Sequence, residues 1–429
     1  MWVLLLTLLL IACNPVASAF ETDDDVRNLL NEIRAQAGIT LPYSLNSALS
    51  IAAKKHCHFW GDQYDILQHY KAMKLITLHD QLAGFEGYIG DMKQRAENEG
   101  YMASVAENIS RGSSDFKESI YRLMSSPGHR FNFLRPDLTD LGYHHCIIKK
   151  NEQNLPSMYV YMLGHHNQQE QQKIITEECL TATTSVICQE DICYHYPCTN
   201  GGKVSVDLVN NKLKYRTTGI QSEGIIQYPS HGSQNVMPAS DNAQSYDPQG
   251  HYLRGAMISI EFLPDTYKAL KSEPEAQLFD NNGQEVHLLQ VSRNALPADQ
   301  KGLRAWLPET RLDWGRQYTI YLSYNLVGVG EKRDISSFTT YVPGENITRI
   351  HSLDQQVFIP RNSPATLVFD WGLLPETPRE PFLLSGFVEG EVHQFKEISP
   401  NVISIETVAK QMILTKSGSD LNVTIFTEN

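Results

Sequence analysis

Four short segments bring together side chains that handle protons and metals. His79 lies in Leu78-His79-Asp80-Gln81, Arg95 in Lys93-Gln94-Arg95-Ala96, Glu107 in Ala106-Glu107-Asn108-Ile109, and His129 in Ser125-Ser126-Pro127-Gly128-His129-Arg130. Two imidazoles and a carboxylate can hold Zn²⁺ with an open fourth position. The same set can run hydrolysis through a metal-bound water or a carboxylate base, or form a hydrogen-bonded cluster that braces loops around a binding cleft. No nucleophile–base pair is evident, so no catalytic residue is assigned. Neither Glu107 nor His129 sits in an apolar periodicity: Glu107 is expected to open onto a loop and His129 to follow a helix stop. His79, Glu107 and His129, with Ser126, are therefore expected to meet at the floor of one cleft. The candidate metal ligands are His79, His129 and Glu107, with zinc as the cation and weak binding for want of a fourth ligand.

Positioning such residues requires ordered elements around them. Residues 23–37 have helical periodicity, with Val26, Leu29, Leu30 and Ile33 on one face, acidic residues in the first turn and Gly38 at the stop. A second helix is expected from Ser44 or Asn46 to about His58, and a third from Phe116 to Met124, ended by Ser-Pro-Gly. Gly142–Ile148 and Met158–Leu163 read as strands. Beyond Lys203 the pattern changes to short strands, such as 204–208, 224–227, 256–262, 286–290 and 318–324. Turn signals such as Asp280-Asn281-Asn282-Gly283 separate them, which is the pattern of all-β sandwiches.

Together these segments resemble the CAP superfamily of cysteine-rich secretory proteins, venom allergens and pathogenesis-related proteins, over about residues 25–164. Leu30-Asn31-x-x-Arg34 followed by Gly38, and Leu49-x-x-Ala52-Ala53, are similar to its first two helices. Ala106-Glu107-Asn108-Ile109 resembles its Gly-Glu-Asn-Ile motif. Ser126-Pro127-Gly128-His129-Arg130, with Asn132 and Leu134-x-Pro136, is similar to its bacterial branch, and Leu141-Gly142-Tyr143 and Tyr159–Gly164 resemble its last strands. The family cavity often holds two His and two Glu. His79, Glu107 and His129 match three of these; Leu123 stands at the usual Trp position, which puts Ser126 where the second Glu would be. The resemblance implies an α-β-α sandwich and a cavity for a small apolar, lipid-like ligand or a partner protein. Residues 307–340 resemble bacterial immunoglobulin-like modules.

The fold class expected is thus α+β, a CAP α-β-α sandwich followed by all-β, immunoglobulin-like modules. The expected division is a signal peptide at 1–19, a CAP domain at 24–165, a linker with a cysteine cluster at 166–202, an immunoglobulin-like β domain at 203–345 and a C-terminal β domain at 346–429. A chain of 429 residues is too long for one core, in line with about two to four domains.

The formal net charge of −13 argues against nucleic-acid partners and against adhesion to anionic lipid. The apolar run at 1–12 is shorter than the roughly 20 residues of a membrane-spanning helix. Ala17-Ser18-Ala19 suits cleavage after export, whereas Leu10-Ile11-Ala12-Cys13 looks like a bacterial lipoprotein box, with membrane attachment only through a lipidated Cys13. Either route leaves six cysteines, Cys57, Cys146, Cys179, Cys188, Cys193 and Cys198, an even number that suits disulfides in an oxidising compartment. Cys57–Cys146 is expected to join a helix to a strand, with two bridges among the other four. The rival tetrathiolate zinc site lacks Cys-x-x-Cys knuckles. The chain therefore reads as an exported, bacterial binding protein of the periplasm, outer surface or extracellular space. The rival classes are a metal-dependent hydrolase of peptide or cell-wall material and a structural surface protein.

Overall fold

A computed structural model describes residues 22–428, apart from 114, 151–152, 167–183, 190–191, 198–223, 241–242, 248, 250–253, 299, 343–345, 370–381, 400–401 and 417–418. The expected export segment with Cys13, most of the expected linker with Cys179 and Cys198, and the expected strand at 204–208 lie outside the described residues. No helix among the described residues is long and apolar enough to cross a membrane.

The N-terminal unit is an α-β-α sandwich. Helix α1 (Asp23–Gln36) starts at a reciprocal cap: Asp25 N donates to the Thr22 hydroxyl and Thr22 N to the Asp25 carboxylate. Asp23, Asp24 and Asp25 lie at the positive end of its dipole. Helix α2 (Ser47–Asp62) is capped by Asn46, whose side-chain oxygen accepts from Ala48 N and Leu49 N. Helices α3 (Tyr64–Ala72), α4 (Met92–Asn98), α5 (Phe116–Ser125) and α6 (Pro127–Phe133) follow. Strands β1 (Ser44–Leu45), β2 (Val105–Arg111), β3 (Asp140–Lys150) and β4 (Gln153–Gly164) form one sheet in the order β1-β3-β4-β2. All of Met158–Leu163 on β4 is buried. Met158, Val160 and Met162 pack with Leu49, Ala53 and Trp60 of α2, while Tyr159, Tyr161 and Leu163 pack with Leu30 of α1 and Ile120 of α5. Strand alternation thus sends one layer of helices to each face.

Gly142 on β3 is required by this packing, because a Cβ there would meet Leu49 and Ser50 backbone atoms of α2 at 2.2–2.4 Å. Cys57 of α2 and Cys146 of β3 form the expected disulfide, with Cα atoms 6.1 Å apart.

Sequence reading missed α3, α4, α6 and β2. Short helices of seven to nine residues carry too little periodicity to stand out. Ser126-Pro127 does end α5, but Pro127 then occupies the first turn of α6, where a missing N–H costs nothing. Glu107 is likewise not on a loop: it is a buried residue inside β2.

Two β-sandwiches follow a two-stranded hairpin, β5 (Thr184–Gln189) and β6 (Ile192–Pro197), in which Cys188 and Cys193 are register partners. The first sandwich begins with β7 (Ile225–Tyr228), a short ribbon of β8 (Ala239–Ser240) and β9 (Arg254–Gly255), then β10 (Ile258–Phe262) and helix α7 (Pro264–Lys268). It continues with β11 (Glu275–Asp280), β12 (Glu285–Val286), β13 (Leu288–Gln290), β14 (Leu303–Pro308), β15 (Gln317–Leu326) and β16 (Gly330–Thr339). Its facing sheets are β13-β14-β10-β7 and β12-β11-β15-β16. The single strand expected at 286–290 is really two, β12 in one sheet and β13 in the other, so the chain changes sheets at His287.

The last unit contains β17 (Ile347–Ile350), β18 (Gln356–Pro360), β19 (Ala365–Phe369), β20 (Phe382–Val388), β21 (Val392–Ser399), β22 (Val402–Thr407), β23 (Gln411–Lys416) and β24 (Asn422–Glu428). Its sheets are β17-β19-β22-β21 and β18-β24-β23-β20. The α+β architecture therefore holds, with a helical sandwich first and β-sandwiches after it.

The N-terminal unit and first β-sandwich share one apolar core, in which Leu30 and Ile33 join Ile226, Tyr228 and Val236. Gln227 N donates to Ala37 O at 3.2 Å. Gly38 has φ +96°, and a Cβ there would come 2.9 Å from Ile225 O. Arg130 of α6, 1% exposed, donates to Met257 O at 2.9 Å and lies 5.1 Å over the Tyr228 ring. Burial pushes the Arg130 guanidinium down to about 10.

The disulfide closes a loop across 89 positions. Replacing Cys57 and Cys146 together with Ala should therefore cost about 2–5 kcal/mol of unfolding free energy. Urea denaturation of the double variant measures this; an unchanged midpoint would show that helix–sheet packing alone holds α2 on β3.

Candidate functional site

Edge strand β2 organises the candidate site. Its alternation turns Val105 and Ile109, and with them Glu107, toward the α2–α4 layer, and Asn108 toward the opposite one. Glu107 is 4% exposed with a fully buried carboxylate. Its Oε1 accepts from Arg95 Nη2 at 2.6 Å, and its Oε2 lies 3.0 Å from His79 Nδ1 and 3.8 Å from His56 Nε2. Burial by itself would raise this carboxyl, but buried His56, the His79 hydrogen bond and the Arg95 guanidinium outweigh it and hold it at about 2.

The segment between α3 and α4 is pinned from several sides. Arg95 Nη1 donates to His79 O at 3.3 Å and Gly90 O at 3.0 Å. Trp60 Nε1 donates to Asp80 O at 3.1 Å, and Gln81 Oε1 accepts from Ile89 N at 2.7 Å. His56 Nε2 lies 2.8 Å from the Leu78 carbonyl, so that nitrogen carries the proton and Nδ1 faces the Gln81 amide at 3.4 Å. Desolvation lowers His56 to about 4, which leaves it neutral near pH 7.

On the other side of β2, Asn108 Nδ2 donates to His129 O at 2.8 Å, while its Oδ1 accepts from Asn132 at 3.0 Å. These bonds fasten α6 to the strand. His129 Nδ1 meets the Ser126 hydroxyl at 2.8 Å. Its ring lies 6.2 Å from the His79 ring. Burial, then the neighbouring His79, lowers His129 to about 4.

The structure thus brings His79, Glu107, His129 and Ser126 together, but not as a metal-ligand set. One Glu107 oxygen is ion-paired to a buried guanidinium and the other accepts from His79. Two imidazoles on one tetrahedral zinc place their ring centres about 5 Å apart, given Zn–N bonds of roughly 2.0–2.1 Å. The observed 6.2 Å is longer. Among the described residues no group of three or more His, Cys, Asp or Glu could hold a metal ion. The arrangement offers a carboxylate held ionised near neutral pH against His79, with two imidazoles beside it as hydrogen-bonding groups.

His56 and Arg95 complete the cluster. Arg95 stands out in the sequence without a partner, and His56 could have been found as a polar residue on the apolar face of α2; neither signal says which carboxylate it meets. His58 and His144 approach to 5.6 Å on the α2–β3 surface, and His145 stacks on Tyr159 at 4.5 Å. His166 has Nδ1 3.0 Å from an Asp140 oxygen.

Residues 27–162 match the family model for CAP, the cysteine-rich secretory protein family. No curated protein matches the chain. Among solved structures, CopC from Methylosinus trichosporium OB3b is similar at 12% identity, over 28% of this chain and 92% of that one, with a TM-score of 0.19. An outer surface protein from Borrelia burgdorferi is similar at 18% identity, over 34% of this chain and 94% of that one, with a TM-score of 0.24.

Glu107→Gln should destabilise the protein by about 3–5 kcal/mol, because it leaves the Arg95 guanidinium buried without its counter-charge. Urea denaturation at pH 7 measures the loss, and a change below about 1 kcal/mol would mean that Arg95 is held by its carbonyl partners alone.

Acid sensitivity follows from the histidines. His56 and His129 titrate lower in the folded protein than the ordinary 6.5, so the unfolded chain takes up protons first. Their contribution is full above about pH 6.5 and is lost as the pH falls toward 4. Glu107, depressed when folded, adds stability above about pH 4.5 that disappears only as the pH falls through 2. Melting curves from pH 7 to pH 4 should therefore slope downward, and His129→Gln should make that slope shallower by roughly 1–3 kcal/mol. Identical slopes for the two proteins would remove His129 as a contributor.

Proposed function

We propose that the protein is an exported binding protein of a bacterial envelope or its surroundings, in which the edge of β2 takes a small apolar, lipid-like ligand with a polar head. One observation carries this reading: Glu107 is fully buried, both its oxygens are engaged, and it stays ionised down to about pH 2. A carboxylate in that state is a poor general base near neutral pH. It works instead as a brace, holding His79 half-exposed beside His129. The imidazole nitrogens there suit the hydroxyl or carboxyl head of a ligand. Apolar surface is available along the same pinned segment, where Leu75 is 65% and Tyr88 45% exposed. The CAP match over residues 27–162 agrees with such a role. The six cysteines remaining after export, and the bridge between Cys57 and Cys146, suit an oxidising compartment.

The test is direct binding of palmitate and of cholesterol, each as a soluble probe, together with native mass spectrometry of protein purified from its own host. At least one probe should bind in about the micromolar range, and His79→Ala or Ser126→Phe should weaken it at least tenfold. Neither probe binding, with no apolar molecule co-purifying, would overturn the lipid reading. Turnover of a peptide or cell-wall substrate that depends on Glu107 would overturn the non-enzymatic one.

A further inference from the structure

On the first β-sandwich, the outward face of the sheet β12-β11-β15-β16 carries an open cleft of about 570 Å³. That lies within the roughly 300–1,000 Å³ typical of small-molecule sites. The register explains its lining. Gln277 of β11 pairs with Tyr321 of β15, and Phe279 with Thr319, so all four side chains project from the same face. Tyr321 is 42% exposed on the outer face of a sheet whose inner face holds Tyr318, Ile320 and Leu322. Phe279 meets it at 5.3 Å and 87°, so the two rings form a floor and a wall at right angles. Around them the cleft is lined by Gln277, Gln317, Thr319 and Asn281, and, among the described residues, by no Lys or Arg. Its acid, Asp280, is turned into the β11–β12 turn, where Oδ1 accepts from Asn282 N and Gln284 N.

This combination selects a ligand class. A pyranose offers apolar C–H faces, which stack on an aromatic ring, and a rim of hydroxyls that each donate and accept. Amide side chains carry both a donor and an acceptor, and a threonine hydroxyl does both as well. A site without cationic side chains in a chain of net charge −13 does not favour an anion. A purely apolar partner would strip water from the Gln317 and Asn281 amides without replacing it, whereas Gln277 and Thr319 already meet Glu285 at 3.5 Å and Ser337 at 3.2 Å.

We propose that this face of the first β-sandwich, centred on Tyr321, binds a neutral oligosaccharide. The site stands apart from the cluster around Glu107 and does not depend on the function proposed for it. An open cleft with one exposed platform gives weak binding, with Kd of roughly 0.1–1 mM for a short oligosaccharide.

The experiment is titration calorimetry of the full exported chain against cellohexaose, laminarihexaose, maltohexaose, mannohexaose and chitohexaose. At least one should bind. Tyr321→Ala and, separately, Gln317→Ala should each weaken that binding at least tenfold, and Tyr321→Phe should stay within about threefold, since it keeps the ring. Phe358→Ala, at an exposed ring of the last unit, should leave binding unchanged. Melting curves check that each variant folds; both tested side chains are exposed, so little change is expected. No binding of any probe up to about 5 mM, or binding that survives Tyr321→Ala and Gln317→Ala, overturns the proposal. So does self-association that Tyr321→Ala abolishes in a protein that binds none of the five sugars.

Discussion

The buried ion pair between Glu107 and Arg95 is the interaction on which the N-terminal site depends. Both side chains are wholly excluded from solvent. Removing a carboxylate and a guanidinium from water is costly unless each finds the other and fills its remaining hydrogen-bonding positions. Arg95 does so in part, by gripping the His79 and Gly90 carbonyls as well, while its Nε is left without a hydrogen-bond partner. Glu107 does so by taking His79 on its second oxygen. The pair thus joins edge strand β2, helix α4 and the segment that carries His79. An arginine in this place also determines what the carboxylate can do. One of its oxygens is held by the guanidinium and the other faces His79.

A second constraint passes through the neighbouring motif. Ser126 to Arg130 supply, within one turn of α6, a histidine for the site and an arginine for the next domain. His129 is tied to Ser126 and, through its carbonyl, to Asn108. Arg130 crosses to Met257 and Tyr228 of the first β-sandwich. Gly38 works alongside it, since its positive φ and missing Cβ let Ile225 approach. With an apolar core continuous across this junction, the first β-sandwich is a structural partner of the N-terminal unit rather than a separate bead. Contact also extends onward: Arg349 of the last unit donates to Asp313 at 3.1 Å, and Val368 and Val402 pack with Met237 and Trp314.

The sequence by itself determined the elements whose signals are local. The periodic helix α1 could be read over residues 23–37, because 3.6-residue periodicity, an acidic first turn and a glycine stop act within a few residues; the Thr22 cap is seen only in the structure. The turn at Asp280–Gly283 and the change from helical to strand patterning were legible for the same reason. So was the candidate set His79, Glu107, Ser126 and His129, whose residue types and order carry the resemblance now matched over residues 27–162. Tertiary structure decided the rest. The seven-residue helices α4 and α6 have too few turns to announce themselves and are held by packing. Glu107 looked like a loop residue because a buried charge interrupts the alternation of β2; only Arg95 and the imidazoles arriving from other elements make that burial tolerable. His56 could be identified as polar on an apolar face, but not as the neighbour of Glu107. That pairing, like the fusion of two domains through Arg130, is a contact between residues far apart in sequence, and no local pattern records which distant partner satisfies a buried charge.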